Sequence, residues 1–322
     1  MASPELVSNE EVRSRNIGTC NTSTDSPPRH FSAVIVCFGT LIAALDSAMF
    51  APGAANASKE FSVSREVGVL GTSLYVLGFA CGPMIWAPCS ELFGRRWPIR
   101  MGMLGCAIFT LGAATAKDIQ TLIICRFFGG VFGASPFCVV PGVLADIYNN
   151  AHRGVAILFY ALTVFCGPFV APFVSGFITM SYLGWRWTLY LPSILAFFSL
   201  FLLLFLDESY HPMVLASKAL QLRRHTGNWG IHAAHEKIEL DLGEAASKYF
   251  TRPVRMIFTE PIILAVSTYM SFIYGLVYAL LVAYPFVFGE VYGMNLGERG
   301  LPFLGLVLGI VLGVIFLSLI HI

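Results

Sequence analysis

Polar residues are so spaced along this 322-residue chain that long apolar runs stand between them. The first run, Phe31 to about Phe50, is interrupted only by Asp46. A polar connection with Asn56, Lys59, Glu60, Arg65 and Glu66 leads into a charge-free run from Val67 to Ser90. A third run, Met101 to Ala116, is short for a bilayer crossing, which takes roughly 20 apolar residues, so it is expected to extend into its flanks. Ile119 to Leu144 forms a fourth run with one internal charge, Arg126. From Gly154 to Trp185 there is no charged residue, which predicts a fifth span over about Gly154 to Met180. A sixth follows over Trp187 to Leu206, with Trp185, Trp187 and Tyr190 placed as interfacial anchors. After a polar stretch of mixed charge, apolar character returns at Pro261 to about Phe288 and at Leu301 to Leu319.

Hydrocarbon offers the backbone no hydrogen-bonding partner, so each run has to satisfy its own peptide groups as a helix. The pattern therefore predicts an all-α integral membrane protein. Its expected parts are a disordered cytosolic leader (1–30), a six-helix membrane bundle (31–206), a cytosolic linker (207–260) and a partial second bundle of two helices (261–322).

Composition agrees: 56% of residues are apolar and 12% charged, with a mean hydropathy of +0.72, whereas soluble domains are about a quarter charged. The net charge of +1 offers no basic field for nucleic acid. Cys37, Cys81, Cys106, Cys125, Cys138 and Cys166 all fall inside apolar runs and read as small packing residues, not disulfide partners. No nucleotide-binding loop, metal-ligand cluster or hydrolytic triad occurs, so neither an enzyme nor a cofactor or metal is expected. His152, His225, His232 and His235 read as solvated loop residues, and the Asn56-Ala57-Ser58 sequon lies too near the membrane for glycosylation. Placing the leader in the cytosol puts Arg95, Arg96, Arg100 and Arg153 on that side and Lys59, Arg65, Lys117 and Arg186 outside, in keeping with the cytosolic bias of basic residues in short loops.

The densest punctuation is Gly82 to Pro98, GPMIWAPCSELFGRRWP. It predicts a helix ended by Gly82-Pro83 and a tight reversal at Gly94. Glu91, Arg95 and Arg96, with Asp146 and Arg153 on the next loop of the same side, could form an ionic latch that holds an outward-facing state. The competing reading is that these charges only orient and solubilise two loops. Gly82-Pro83 with Ala87-Pro88 recurs as Gly167-Pro168 with Ala171-Pro172, each in the middle span of a triplet, which suggests inverted three-helix repeats.

A carboxylate inside an apolar helix costs up to about 3 kcal/mol on insertion scales, so Asp46 should face a cavity or a partner. It is a candidate proton-exchanging group, or the anion that selects cationic substrates; hydration at the outer headgroups is the alternative. Arg126 cannot itself carry a proton. Asp46 is its candidate partner, with snorkelling to the outer surface as the alternative. Gly129 and Gly133 have the spacing of a close helix contact. Ser271, Tyr274 and Tyr278 share one face of the seventh span, where they could present aromatic rings to a cation or pack against the eighth.

These residues carry a resemblance. The turn from Gly82 to Pro98 resembles the signature between helices 2 and 3 of the major facilitator superfamily. Arg126 with Gly129, Gly130 and Gly133 is similar to its helix 4 motif, and Gly167, Pro168, Ala171, Pro172 and Gly176 resemble the helix 5 motif of its antiporters. The stretches EFSVSREVGVLGTSLYVLGFACGPMIWAPCSELFGRR from Glu60 and DESYHPMVLASKALQLRRHTGNW from Asp207 resemble the fungal twelve-helix drug:proton antiporters, which include polyamine and azole exporters. The resemblance implies proton-coupled export of a small molecule by alternating access, from a plasma-membrane monomer whose partners are substrate, protons and lipid. It further implies that Arg126 organises the cavity. Two departures stand out: the family has twelve helices where eight are read here, and Ser175-Gly176 replaces its usual paired glycines. A truncated, non-transporting chain and a sugar or other solute permease are the alternatives.

Overall fold

The structure is a computed structural model that describes residues 29–230 and 252–321. Nearly all of the leader, the linker residues 231–251 and residue 322 lie outside the described residues, as do His232 and His235. Among the described residues all regular structure is helical. In chain order the helices are α1 (Arg29–Met49), α2 (Ala54–Glu60), α3 (Arg65–Phe93), α4 (Arg96–Ala114), α5 (Ile119–Ile147), α6 (Asn150–Met180), α7 (Trp187–Leu203), α8 (His211–Thr226), α9 (Arg252–Thr259), α10 (Pro261–Phe286) and α11 (Pro302–His321). Seven described helical stretches are long and apolar enough to cross a membrane. The sixth predicted span is the shorter α7, whose 17 residues reach about 25 Å at 1.5 Å per residue, near the lower limit for a crossing.

Two expectations about helix ends change. Helix α3 does not stop at Gly82-Pro83; it runs through Pro83 and Pro88 to Phe93. Unwinding there would orphan further peptide groups in hydrocarbon, a greater loss than the bonds each proline removes. Gly82 serves contact instead: a Cβ at that position would collide with Ala134 and lie 2.7 Å from the Val131 carbonyl of α5. The stop comes at Gly94, whose φ of +84° favours glycine. The short third run extends only backwards, so Arg96 and Arg100 lie inside α4. Arg100 is buried and donates to the carbonyls of Leu203 (2.9 Å), Leu204 (2.7 Å) and Leu206 (3.1 Å). A cation thereby caps the C-terminal end of α7, where carbonyls lack helical partners.

Helix α3 packs on α5, α5 on α4, and α1 on α6 and α7. One apolar cluster joins α1, α4, α5 and α7 through Val36, Met103, Val140 and Leu203. A second, around Phe50, Leu122, Trp185 and Leu189, closes the opposite end. Trp185, expected at the lipid interface, is instead buried, and its indole N–H donates to Glu60 at 2.6 Å. A third cluster, with Met49, Phe169, Leu281 and Phe303, seats α10 and α11 against α1 and α6. The cysteines at 37, 81, 89, 106, 125, 138 and 166 are free; Cys106 is buried as expected, while Cys81 is exposed.

Candidate functional site

Asp46 and Arg126 meet where α1, α3, α4 and α5 converge. Arg126 Nη1 lies 2.9 Å from Asp46 Oδ1, with side-chain exposures of 0% for the arginine and 2% for the aspartate. Both alternatives weighed from sequence, hydration of Asp46 and snorkelling of Arg126, are excluded by this burial. The same guanidinium donates through Nη2 to the Asp46 carbonyl (3.1 Å) and through Nε to the Gly71 carbonyl (3.2 Å). Its flat face stands 4.3 Å from the Tyr75 ring centroid and 5.6 Å from that of Phe50. The other carboxylate oxygen, Oδ2, accepts from Thr110 at 2.7 Å, with the Cys106 thiol at 3.8 Å.

A desolvated ion pair persists only when its remaining hydrogen-bonding capacity is met, and here several neighbours meet it. Gly71 and Tyr75 stand four residues apart on α3, as do Cys106 and Thr110 on α4, so each helix turns one face to the pair. Tyr75 and Thr110 escaped the sequence reading, and Cys106 entered it only as a packing residue. Their only mark there is polarity within an apolar run.

The other pathway candidates are dispersed around this centre. Tyr278 reaches Ser47, the neighbour of Asp46, with its hydroxyl 3.3 Å from Ser47 Oγ. Tyr274 lies beside Phe165 of α6, ring centroids 5.7 Å apart. Ser271 is exposed, and its hydroxyl turns back to the Ser267 carbonyl of its own helix at 2.8 Å. Gly129, expected at a close helix contact, has only ordinary van der Waals room around it. The tight approach falls at Gly130, where a Cβ would collide with the Tyr75 carbonyl.

At the α3–α4 turn, Arg95 Nε lies 3.3 Å from Asp146 Oδ2 at the end of α5, and Nη1 donates to Ser90 Oγ at 2.5 Å. Arg153 does not join Asp146; its Nη2 donates to the Ala145 carbonyl at 3.2 Å. Glu91 occupies the last turn of α3. The residue the sequence reading overlooked is Glu208, just past α7. Its carboxylate accepts the backbone N–H of Arg95 (2.9 Å), of Arg96 (3.1 Å) and of Tyr210 (3.0 Å). An anion thus sits on the open N-terminus of α4, where unpaired N–H groups and the helix dipole favour it. A Cβ on Gly94 would lie 2.6 Å from Glu208 Oε2, so this turn needs glycine for space as well as for φ. The Arg95 guanidinium is 5.0 Å from the Tyr210 ring centroid, adding a second tie to the same segment.

The Gly167-to-Gly176 motif faces two ways. A Cβ at Gly167 would lie 2.9 Å from the Leu45 N of α1, beside Asp46, and one at Gly176 would lie 2.6 Å from the Leu296 carbonyl ahead of α11. The approach at Gly176 is close even without paired glycines, because the Ser175 hydroxyl is buried and folds back onto the Ala171 carbonyl at 2.7 Å. Pro168 and Pro172 lie within the unbroken α6. Among the described residues no group of three or more His, Cys, Asp or Glu could hold a metal ion.

A multi-pass helical bundle with a buried ion pair between its helices defines an integral membrane protein. The chain belongs to the Major Facilitator Superfamily, which it matches over residues 36–321. It is 45% identical over 278 residues to the multidrug transporter TPO1_2 of Candida glabrata, covering 86% of this chain and 48% of that one. Against the major facilitator superfamily multidrug transporter FLU1 of Candida albicans the identity is 43%, with 87% of this chain and 47% of the relative covered. The chain thus spans about half the length of these curated relatives. Among solved structures, the E. coli xylose transporter XylE in a partially occluded inward-open conformation aligns with a TM-score of 0.62 at 19% identity, over 90% of this chain and 70% of that one, which shows the shared fold.

Proposed function

We propose that this protein exports drugs, polyamines or related small molecules across the plasma membrane by alternating access coupled to proton entry, as a monomer with its N-terminus in the cytosol. The observation that carries the reading is the desolvated Asp46–Arg126 pair, in a chain similar to fungal multidrug transporters. Asp46 is the exchanging group. When deprotonated it is held by Arg126 and Thr110; when protonated it releases a permanent cation that keeps its carbonyl partners and the Tyr75 and Phe50 rings. Arg126 retains its charge throughout. A cationic substrate arriving near Asp46, with the Tyr274 and Tyr278 rings alongside, competes with the proton, and each occupant favours a different facing state.

The second element of the proposal is the latch. Arg95, Asp146 and Glu208 tie the α3–α4 turn to the end of α5 and to the segment after α7, with Glu91, Arg96 and Arg153 adjoining. The cluster steadies one facing state and loosens in the other. Gly82, next to Pro83, keeps α3 seated on α5 beneath it, and Gly167 and Gly176, with Pro168 and Pro172 between them on α6, admit α1 and the approach to α11.

The test is proton-driven efflux of labelled spermidine and of a cationic dye from proteoliposomes holding the chain. Gradient-dependent efflux that Asp46→Asn abolishes is expected. Efflux unchanged in Asp46→Asn removes the proton role. A folded chain that moves neither compound under any gradient returns the non-transporting reading.

A further inference from the structure

Away from the ion pair, α1, the end of α5 and the first half of α6 enclose a cavity of about 580 Å³, inside the range of about 300–1,000 Å³ usual for small-molecule sites. Neither Asp46 and Arg126 nor any residue of α10 or α11 lines it. Its walls are largely apolar; the Thr163 hydroxyl at the inner end is spent on the Tyr160 carbonyl at 2.7 Å, while His30 at the start of α1, Tyr148 just past α5 and His152 near the start of α6 gather at the other end. His30 Nδ1 and the Tyr148 hydroxyl are 3.1 Å apart, and burial, with a smaller effect of the nearby Cys37, raises the pKa of the Tyr148 phenol. No carboxylate lines the cavity. That separates it chemically from Asp46, since nothing in it attracts a cation.

Its depth is informative. The α1 wall runs from His30 to Leu41 and the α6 wall from His152 to Thr163, each about 16 Å long at 1.5 Å per residue. A single leaflet of hydrocarbon is about 15 Å deep, half of the usual 30 Å core. Both walls start where the helices start, which in a multi-pass protein is the headgroup level, and both run inward for one leaflet. Val34 and Phe159 are 66% and 54% exposed, so the cavity opens sideways to the medium around the helices. An apolar slot one leaflet deep, open laterally, with uncharged or cationic donors at its mouth, has the form of an amphiphile's binding site.

We infer that this cavity is a lipid site, taking one acyl chain of a bilayer phospholipid whose phosphate accepts hydrogen bonds from His30, Tyr148 and His152. The lipid holds α1 and α6 at a fixed spacing beside the end of α5.

Native mass spectrometry of the purified chain, washed in detergent and then offered phosphatidic acid or phosphatidylcholine, reads this directly. One phospholipid per chain is expected to survive the wash. Ala156→Trp, which fills the slot, should lower its retention at least tenfold. His30→Ala with Tyr148→Phe should keep acyl binding but lose the preference for phosphatidic acid, whose phosphate is the more accessible. Photo-crosslinking of the unmodified chain with a phospholipid carrying a reactive acyl group guards against a misfolded variant. Adducts should concentrate on peptides containing Val34 and Phe159. Adducts spread evenly onto α7 residues such as Phe201, equal lipid retention by Ala156→Trp, or displacement of phospholipid by free fatty acid at equal concentration would each overturn the assignment.

Discussion

Two ion pairs, one buried and one near the surface, show how differently the same attraction is used within one bundle. Asp46 and Arg126 have side-chain exposures of 2% and 0%, while Arg95 and Asp146 keep 17% and 21%. Water has left the first pair, so its strength depends on carbonyls, a hydroxyl and two aromatic faces standing in for hydration. The second pair retains solvent, so its direct attraction is weak, and the lasting tie at that end is the uncharged backbone of Arg95 and Arg96 on Glu208. Burial makes a charge sensitive to protonation and partner loss. Exposure makes it adjustable and easily remade, which suits a contact that has to open and close.

The largest effect should come from leaving one buried charge alone. Arg126→Met should cost about 3–5 kcal/mol of stability, because Asp46 stays desolvated without its counter-charge. Melting in detergent measures this, and the double variant Asp46→Asn/Arg126→Met should recover much of the loss. A double variant no more stable than the single one would mean that the pair's burial is not what sets its energy.

At the turn, Glu208→Ala should cost about 1–3 kcal/mol, since the N–H groups of Arg95 and Arg96 lose their acceptor. Gly94→Ala should fall in the same range of about 1–3 kcal/mol, from an unfavourable φ and the approach of the Glu208 carboxylate. Urea unfolding reads both. If Gly94→Ala proves neutral, Glu208 must be free to move away, and the turn is looser than its geometry indicates.

Smallest of all should be Arg95→Gln, about 1 kcal/mol or less at low salt, fading as ionic strength rises and screening shortens the reach of the Asp146 charge. Salt titration of the melting temperature checks it. An effect as large as that of Arg126→Met, and insensitive to salt, would erase the distinction between the two pairs.

Much of this was legible before any coordinates. The apolar runs located the crossing helices, several of them to within a few residues, because hydrocarbon punishes an unpaired peptide group far more than water does. Asp46 and Arg126 stood out as the charges that such a run tolerates least. The Gly82-Pro83 stop was misread because proline's effect on a helix depends on what the freed groups would otherwise meet, and inside a membrane they would meet nothing. Trp185 was misread for a related reason. An aromatic at a span's end can face lipid or, as here, close over a carboxylate at the end of another helix, Glu60 of α2.

Glu208, Tyr75 and Thr110 could not have been chosen from sequence, because each matters through an atom on another helix far away along the chain. The sequence by itself determined that this chain enters the membrane as a series of helices, and which charges have to be sheltered there, since both follow from transferring each segment out of water. Only the tertiary structure decided who shelters them: which helix faces meet, which glycine admits a carbonyl, and which carboxylate caps α4. Those outcomes depend on separations of a few ångströms between residues that no local pattern relates.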